Sequence, residues 1–458
     1  MSATARLTAA LALAAVLALP SAARAACAEC LSAGAATTRL AVPPGTPLAG
    51  YGHLARRLLF PDVLGRYPHA FWLKPSEGEL DPLAARALVL ARGETRIVWV
   101  ALDVIAVDRA FTAALVQRVT AAGGVRPTVI VSASHTHSGP GAFLDTELFG
   151  AMSVDRLDGA VRAALLDAAA DAVRRAEAGR VPARVAIAEL AAPAELTHGR
   201  LGLPVDPTLA VLRVTRETGE PVAALWNYAI HGTMLSAHNL KLSGDVTGVA
   251  ARGVEATLGV PALFVNGAVG DVSPTGHGAP AAASVGAALA SLVERAWAAA
   301  APMEGRLGVA RLTVDLPSAR LSLRNCLSGW VPRFVTVPLG GALPRDAELV
   351  AVAIGDSAWV AVPGELQTAL GQAIKRAGRP RFRHVLVAGV SNDYLGYFVT
   401  AQEFAQPAYV TCATLYGPKA GTCLAGAAAD LVDGLEASGP RRDDGRARTS
   451  SGRRYCGG

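Results

Sequence analysis

Two histidines in the segment SASHTHSGPG, His135 and His137, stand two residues apart. On an extended backbone that spacing sends both imidazoles out of one face. Such a pair supplies two ligands to a divalent metal, or one ligand and one proton carrier, because neutral imidazole binds zinc through a ring nitrogen and titrates near neutrality. Ser134, Ser138, Gly139, Pro140 and Gly141 build a tight polar turn around the rings, which a packed core would not need. A plainer alternative is that both rings only cap loop hydrogen bonds. His231 follows LWNYAI and precedes Gly232 and Thr233. Alone it reads as readily as a structural strand-end histidine; a second histidine-bearing loop in the same chain raises its weight as a ligand.

Carboxylates and hydroxyls surround these loops in sequence. Asp245 in LSGDVTG and Asp271 in NGAVGDVSPTG lie in glycine-lined turns, where a carboxylate caps backbone N–H groups or orients a ligand imidazole. Ser273 lies two residues beyond Asp271. It has no G-x-S-x-G context, so it reads as a hydrogen-bond donor or turn hydroxyl before it reads as a nucleophile. Glu365, in AVPGELQTAL, is placed near the first turn of an expected helix, where a carboxylate is favourable in any case. Three of the eight tyrosines, Tyr394, Tyr397 and Tyr409, crowd into SNDYLGYFVTAQEFAQPAY. Their default role is packing with a polar handle.

The elements that must position these groups alternate in type. Apolar runs at 96–105, 127–132, 181–187, 221–230 and 261–265 read as strands, and alanine-rich stretches at 110–121, 156–177, 283–299 and 365–376 read as helices. This pattern predicts an α/β fold with layered mixed sheets, helices covering the sheets, and active-site loops at strand ends. Four runs, ending in HTHSGPG, HGTM, NGAVGDVSPTG and SNDYLGY, pass directly into polar loops.

The opening MSATARLTAALALAAVLALPSAARAAC has the basic, apolar and small-residue order of a secretory signal peptide, with cleavage expected after Ala25. No later stretch reaches the ~18 uninterrupted apolar residues of a membrane span. The mature chain is therefore expected to be extracytoplasmic, secreted or periplasmic. The formal charge of +6 is carried by the ends: residues 441–458 hold six Arg and two Asp, and Arg6 and Arg24 add two more positive charges, which leaves the body neutral. No basic stripe remains for phosphate neutralisation, so nucleic-acid binding is not expected. The division that follows is signal peptide 1–25, one continuous unit 26–440, and a basic disordered tail 441–458. Among the six cysteines, the short-range pairs Cys27 with Cys30 and Cys412 with Cys423 are the candidates; Cys326 has no obvious neighbour and Cys456 lies in the tail.

Taken together and in order, SASHTHSGPG, NYAIHGTM, LSGDVTG, NGAVGDVSPTG, VPGEL and the NDYLGY to TLYGP region resemble the catalytic domain of the neutral, non-lysosomal ceramidase family. That resemblance implies zinc ligation by His135, His231, Glu365 and Tyr397. It implies a catalytic set of His137, Tyr409, Ser273 and Arg200, the last in LTHGRLGLP. Tyr397 takes precedence over Tyr394 because its spacing to Tyr409 fits the family pattern. It further implies hydrolysis of the amide of N-acylsphingosine by a zinc-activated water, on a lipid amide substrate at a membrane or micelle surface. The alternatives are a zinc hydrolase of other N-acyl amides or esters, and an exported binding protein without turnover. Family members usually carry an additional C-terminal β-sandwich, and this chain is expected to lack it.

Overall fold

The structure is a computed structural model that describes residues 30–121, 126–435 and 451–456. The expected signal peptide, Cys27 and residues 441–450 lie outside the described residues. The larger sheet runs in the order Thr128–Ala133, Thr95–Leu102, Ala84–Arg92, Ser32–Arg39, Val181–Ala191, Thr208–Arg216, Pro221–Tyr228 and Ala262–Asn266. Its two end pairs are parallel and the pairings between them are antiparallel. A second sheet runs His384–Ala388, Ser357–Ala361, Asp346–Ile354, Leu307–Asp315 and Ser451–Tyr455, again with parallel pairs at both ends. The expected mixed-sheet α/β architecture is therefore observed.

Side-chain alternation explains how the sheets pack. In the strand Thr95–Leu102, Ile97 and Trp99 enter a core shared with Val350, Val352 and Trp359 of the second sheet, whereas Val98, Val100 and Leu102 face a separate core. Trp99 and Trp359 meet edge to face, with ring centroids 5.4 Å apart, the favoured geometry for two aromatic quadrupoles. The opposite faces are covered by helices: Leu165, Ala169 and Val173 of Gly159–Ala178 on the larger sheet, and Leu370 and Ile374 of Thr368–Gly378 on the second. Strands buried on both faces read as continuous apolar runs, which is why TVIV and PALFV were legible.

Three expectations are corrected. Glu365 is not in a helix: it belongs to the short strand Glu365–Leu366, and the helix begins at Thr368. Asp271 Oδ1 accepts hydrogen bonds from the Thr368 N–H and hydroxyl, both at 2.7 Å, and so fixes that start. Residues 451–456 are not a disordered tail, because Ser451–Tyr455 adds a parallel strand to Leu307–Asp315 and Arg453 pairs with Asp315 at 2.7 Å. Finally, the cysteines pair over long range, Cys326 with Cys412 and Cys423 with Cys456, so Cys412 and Cys423 are not joined. Cys30 is disulfide-bonded as well.

The Cys423–Cys456 bond closes a loop of 33 residues. Replacing both cysteines by serine is expected to lower unfolding free energy by about 3 kcal/mol, from the chain entropy restored to the unfolded state. Denaturant unfolding measures this, and an unchanged midpoint would contradict a structural role for the C-terminal strand.

Candidate metal centre

The loops that follow the buried strands are laced together by backbone. Ala133 donates to Val390 (3.1 Å), Asn392 to Val131 (2.8 Å), Gly389 to Asn266 (2.9 Å) and Val390 to Gly364 (3.0 Å). The buried side chain of Asn266 joins them, donating to the carbonyls of Ile230 at 3.0 Å and Ser134 at 3.4 Å. A bridge pairs Thr136 with Gly232, and His137 donates to the Gly232 carbonyl at 2.8 Å. Any Cβ at Gly232 would lie 2.6 Å from the Thr136 Cα, so glycine is what lets the two histidine loops touch. His135 itself sits at φ 64, a region costly for a residue with a Cβ and one that clusters at functional sites.

This lacing brings His135, His231 and Glu365 to one point. The Nε2 atoms of His135 and His231 lie 3.2 and 3.1 Å from the two oxygens of Glu365, and all three side chains are almost wholly buried. Each imidazole contacts a backbone carbonyl through Nδ1, His135 to Ile105 at 2.7 Å and His231 to Val272 at 2.8 Å. A carbonyl only accepts, so Nδ1 carries the proton and Nε2 presents a lone pair. Both Nε2 atoms, together with Glu365 Oε2, lack a hydrogen-bond partner in the protein. Lone pairs facing lone pairs in a buried pocket repel, and a cation between them removes the repulsion. Ligand atoms of tetrahedral zinc lie about 3.3 Å apart, given metal bonds of roughly 2.0–2.2 Å, so the donor set fits that ion.

His137 completes a group of three buried histidines whose ligand atoms all lie within 4.8 Å of one another. Both its ring nitrogens are buried without a partner. Its ring is fixed from behind: Gly50, at φ 106, leaves no room for a Cβ, which would lie 2.7 Å from the imidazole. The buried Arg56 donates to the carbonyls of His137 at 2.6 Å and Ala49 at 2.9 Å, and lies 4.8 Å over the Tyr51 ring. Burial pushes this guanidinium down to about 10, against the pull of Tyr51 and Asp245.

The tyrosines divide by register. Glu365 and Tyr397 are cross-strand neighbours in the short parallel pair Glu365–Leu366 and Tyr397–Phe398. Tyr394 donates its hydroxyl to Glu365 Oε1 at 2.6 Å and so orients the carboxylate. The family spacing to Tyr409 favours Tyr397 over Tyr394 as a ligand, and no local pattern in the sequence marks Tyr394 as the partner of Glu365. Burial, then Glu365, raises both phenols well above their ordinary range, so each is a neutral donor here. Tyr409 opens the short helix Tyr409–Cys412, with its ring 5.9 Å from that of Tyr397 and two-thirds of its surface exposed.

Arg200 and Ser273 arrive together, because the strand Thr197–Gly199 pairs antiparallel with Val272–Pro274. Arg200 donates to Ser273 Oγ at 2.7 Å and to the Tyr397 hydroxyl at 3.3 Å. Asp206, six residues beyond Arg200, pairs with Lys375 at 2.7 Å. Asp245 and Asp271 keep the capping role, Asp245 accepting from the N–H groups of Met234, Leu235 and Val246. The imidazoles are oriented by main-chain carbonyls instead.

A cavity of about 280 Å³ opens onto the cluster. His135, His137, Glu365, Tyr394, Tyr397 and Tyr409 line its polar end, and Leu144, Leu148, Phe149, Leu321, Leu339 and Leu415 its apolar walls. The fold and this site define an α/β protein with a buried imidazole–carboxylate centre at the floor of an apolar cavity. Residues 74–291 match the family model "Neutral/alkaline non-lysosomal ceramidase, N-terminal". A neutral ceramidase B of Dictyostelium discoideum is 34% identical over 82 residues, 17% of this chain and 11% of that protein. A neutral ceramidase of Mycobacterium tuberculosis is 29% identical over 183 residues, 32% of this chain and 27% of that protein. The matched segments thus span about a quarter or less of these relatives' lengths. The solved neutral ceramidase of Pseudomonas aeruginosa superposes with a TM-score of 0.77 at 21% identity, covering 91% of this chain and 77% of that one, which shows a shared fold. The matched segment, just under half of the chain, is thus similar to the N-terminal part of the neutral/alkaline non-lysosomal ceramidases. That segment carries His135, His137, Arg200, His231 and Ser273; Glu365, Tyr397 and Tyr409 lie beyond it.

Burial, then Arg200, holds His231 down at about 3, from 6.5, and burial with the neighbouring imidazoles holds His137 well below its ordinary range. An unfolded chain therefore binds protons at these positions that the metal-free native state refuses. Their contribution to stability is complete above about pH 6.5 and is lost progressively as pH falls toward His231's native value. Acidifying metal-free protein from about pH 7 to pH 4 should lower the unfolding midpoint more steeply in the parent chain than in His231→Leu. Parallel curves from thermal unfolding would contradict the assignment of a neutral, buried imidazole.

Proposed function

We propose that this chain is a zinc-dependent amidohydrolase that cleaves the amide of N-acylsphingosine to sphingosine and fatty acid. One observation carries the reading: Nε2 of His135, Nε2 of His231 and the Glu365 carboxylate converge, buried and electron-rich, at the floor of an apolar cavity. The similarity of the 74–291 segment to the ceramidase family model, and the names of the relatives, support the choice of substrate class. In this reading residues 26–440, with the strand Ser451–Tyr455 joined to them, act as one catalytic unit, exported from the cytoplasm, in keeping with the disulfides.

His135, His231, Glu365 and Tyr397 would hold the ion, with Tyr394 and the carbonyls of Ile105 and Val272 fixing the ligand orientations. Bound zinc supplies Lewis acidity, making water acidic and polarising a carbonyl oxygen. His137, neutral and with both ring nitrogens free, accepts the proton released on attack and returns it to the amine leaving group. Tyr409 and Ser273 donate hydrogen bonds toward the oxygen that gains charge, and Arg200 holds Ser273 and Tyr397 in place. The apolar walls seat the acyl chain next to the amide and keep bulk water out. A cavity just below the usual range of roughly 300–1,000 Å³ for small-molecule sites also favours a second reading, a shorter N-acyl amide as the preferred substrate.

The decisive assay offers purified protein both dispersed ceramide and soluble short-chain N-acyl amides, with and without chelator. Chelator-sensitive cleavage of ceramide is expected; cleavage of the short amides alone would keep the chemistry and reject the lipid. His231→Ala and Glu365→Ala should each lose stoichiometric zinc and reduce turnover more than about a hundredfold, in a protein that keeps its circular dichroism. His137→Ala should keep the metal yet lose about 10²–10⁴ in turnover, which separates a proton carrier from a ligand. Ser273→Ala should retain measurable turnover, since water attacks; a trapped acyl-serine in the mass spectrum would overturn that step.

A further inference from the structure

Large apolar side chains are not scattered over this surface. Among the described residues, every leucine, valine, phenylalanine or tryptophan more than half exposed lies in one of two segments. Leu54, Leu59, Phe60, Val63 and Leu64 form the first, and Leu327, Trp330 and Phe334 the second, with exposures from 72% to 89%. Monomeric proteins rarely leave such residues clustered in water without use for them.

Both segments adjoin the cavity mouth. On one side Arg57 donates to the carbonyls of Met152 at 3.1 Å and Ala151 at 2.8 Å, and Met152, itself 55% exposed, lines the cavity rim. On the other side Leu327 follows Cys326, whose disulfide to Cys412 lines the same cavity; both half-cystines touch it, and Tyr409 stands at its edge. Arg324 donates to the carbonyls of Gly329 and Val331, which sets the 327–334 loop in one shape before any partner arrives.

Charge distinguishes the possible occupants. From residue 316 to residue 345 there is no Asp or Glu, while Arg320, Arg324, Arg333 and Arg345 are present. In 54–66 the acid is Asp62, whose carboxylate is committed to Arg66 and the Tyr67 N–H, which leaves Arg57 as surplus charge. Aromatic and aliphatic tips set among arginines match an interface with an apolar interior and anionic headgroups, where each basic residue adds attraction and the apolar tips sink below the headgroups. A bilayer also fits the cavity, which holds an amide and the start of its chains better than a whole two-chain lipid.

We propose that residues 54–64 and 327–334 form a two-part docking surface that seats the cavity mouth on an anionic lipid bilayer. The proposal rests on the lipid-amide reading, and its test needs no turnover. Purified protein is floated with vesicles of phosphatidylcholine containing about 30% phosphatidylserine, free of ceramide. The wild-type chain is expected to float with these vesicles and to be released by salt. The pair Trp330→Ser with Phe334→Ser, and separately Leu59→Ser with Phe60→Ser, should each weaken partition at least about tenfold. Arg333→Glu should weaken it about fivefold, and more at low salt than at high. All variants should keep wild-type circular dichroism and wild-type rates on a soluble short-chain amide. Failure of the wild type to float, equal flotation of the variants, or self-association of the wild type that the same substitutions abolish would each overturn the docking surface without touching the hydrolase reading. A wild-type chain that floats yet cleaves neither ceramide nor the soluble amide would sink the hydrolase reading instead.

Discussion

Two imidazole lone pairs, each held within about 3.2 Å of one carboxylate and out of water, are the constraint on which the rest of this molecule depends. Without a positive charge among them, the arrangement costs desolvation and repulsion together. Each imidazole is denied the easy escape of rotating or changing tautomer, because its other nitrogen is committed to a main-chain carbonyl. The carboxylate is pinned by Tyr394. An electron-rich pocket so rigidly defined is stable when a cation completes it.

The two sheets supply the rigidity. Their parallel end pairs deliver loops that carry one chemical group each, and the main-chain bonds joining residues 131–133, 266, 364 and 389–392 make those loops a single framework. Strain is concentrated at that framework: His135, Asp245, Val390 and Asn392 all adopt positive φ without being glycine. Such conformations persist where surrounding structure over-determines them. Packing between Trp99 and Trp359 ties the sheets behind the site, so local strain is held by a core rather than by a loop.

Much of this was legible in the residues. Runs such as TVIV and PALFV declare buried strands, and histidines placed just beyond apolar runs declare loops with chemistry to do. His135, His137 and His231 are brought together as their shared context suggests, and Glu365 joins them. Its setting was misread, because a carboxylate followed by QTAL looks like a helix start; the helix instead begins three residues later, with Asp271 as its cap. Tyr394, Asn266 and Arg56 were not identified, since each works by geometry that arises only after distant loops meet. Composition misjudged residues 451–456: a short Arg-rich stretch buries little, but a strand ladder and a disulfide to Cys423 hold it. Long-range cysteine pairing is likewise set by the fold and not by spacing along the chain.

Crystals of the purified protein, measured on both sides of the zinc absorption edge, address the central claim most directly. A single anomalous peak bonded to Nε2 of His135, Nε2 of His231 and the carboxylate of Glu365 is the expected result. Full-occupancy protein with its metal elsewhere, or with those three groups hydrogen-bonded to one another around no ion in the presence of excess zinc, would contradict it.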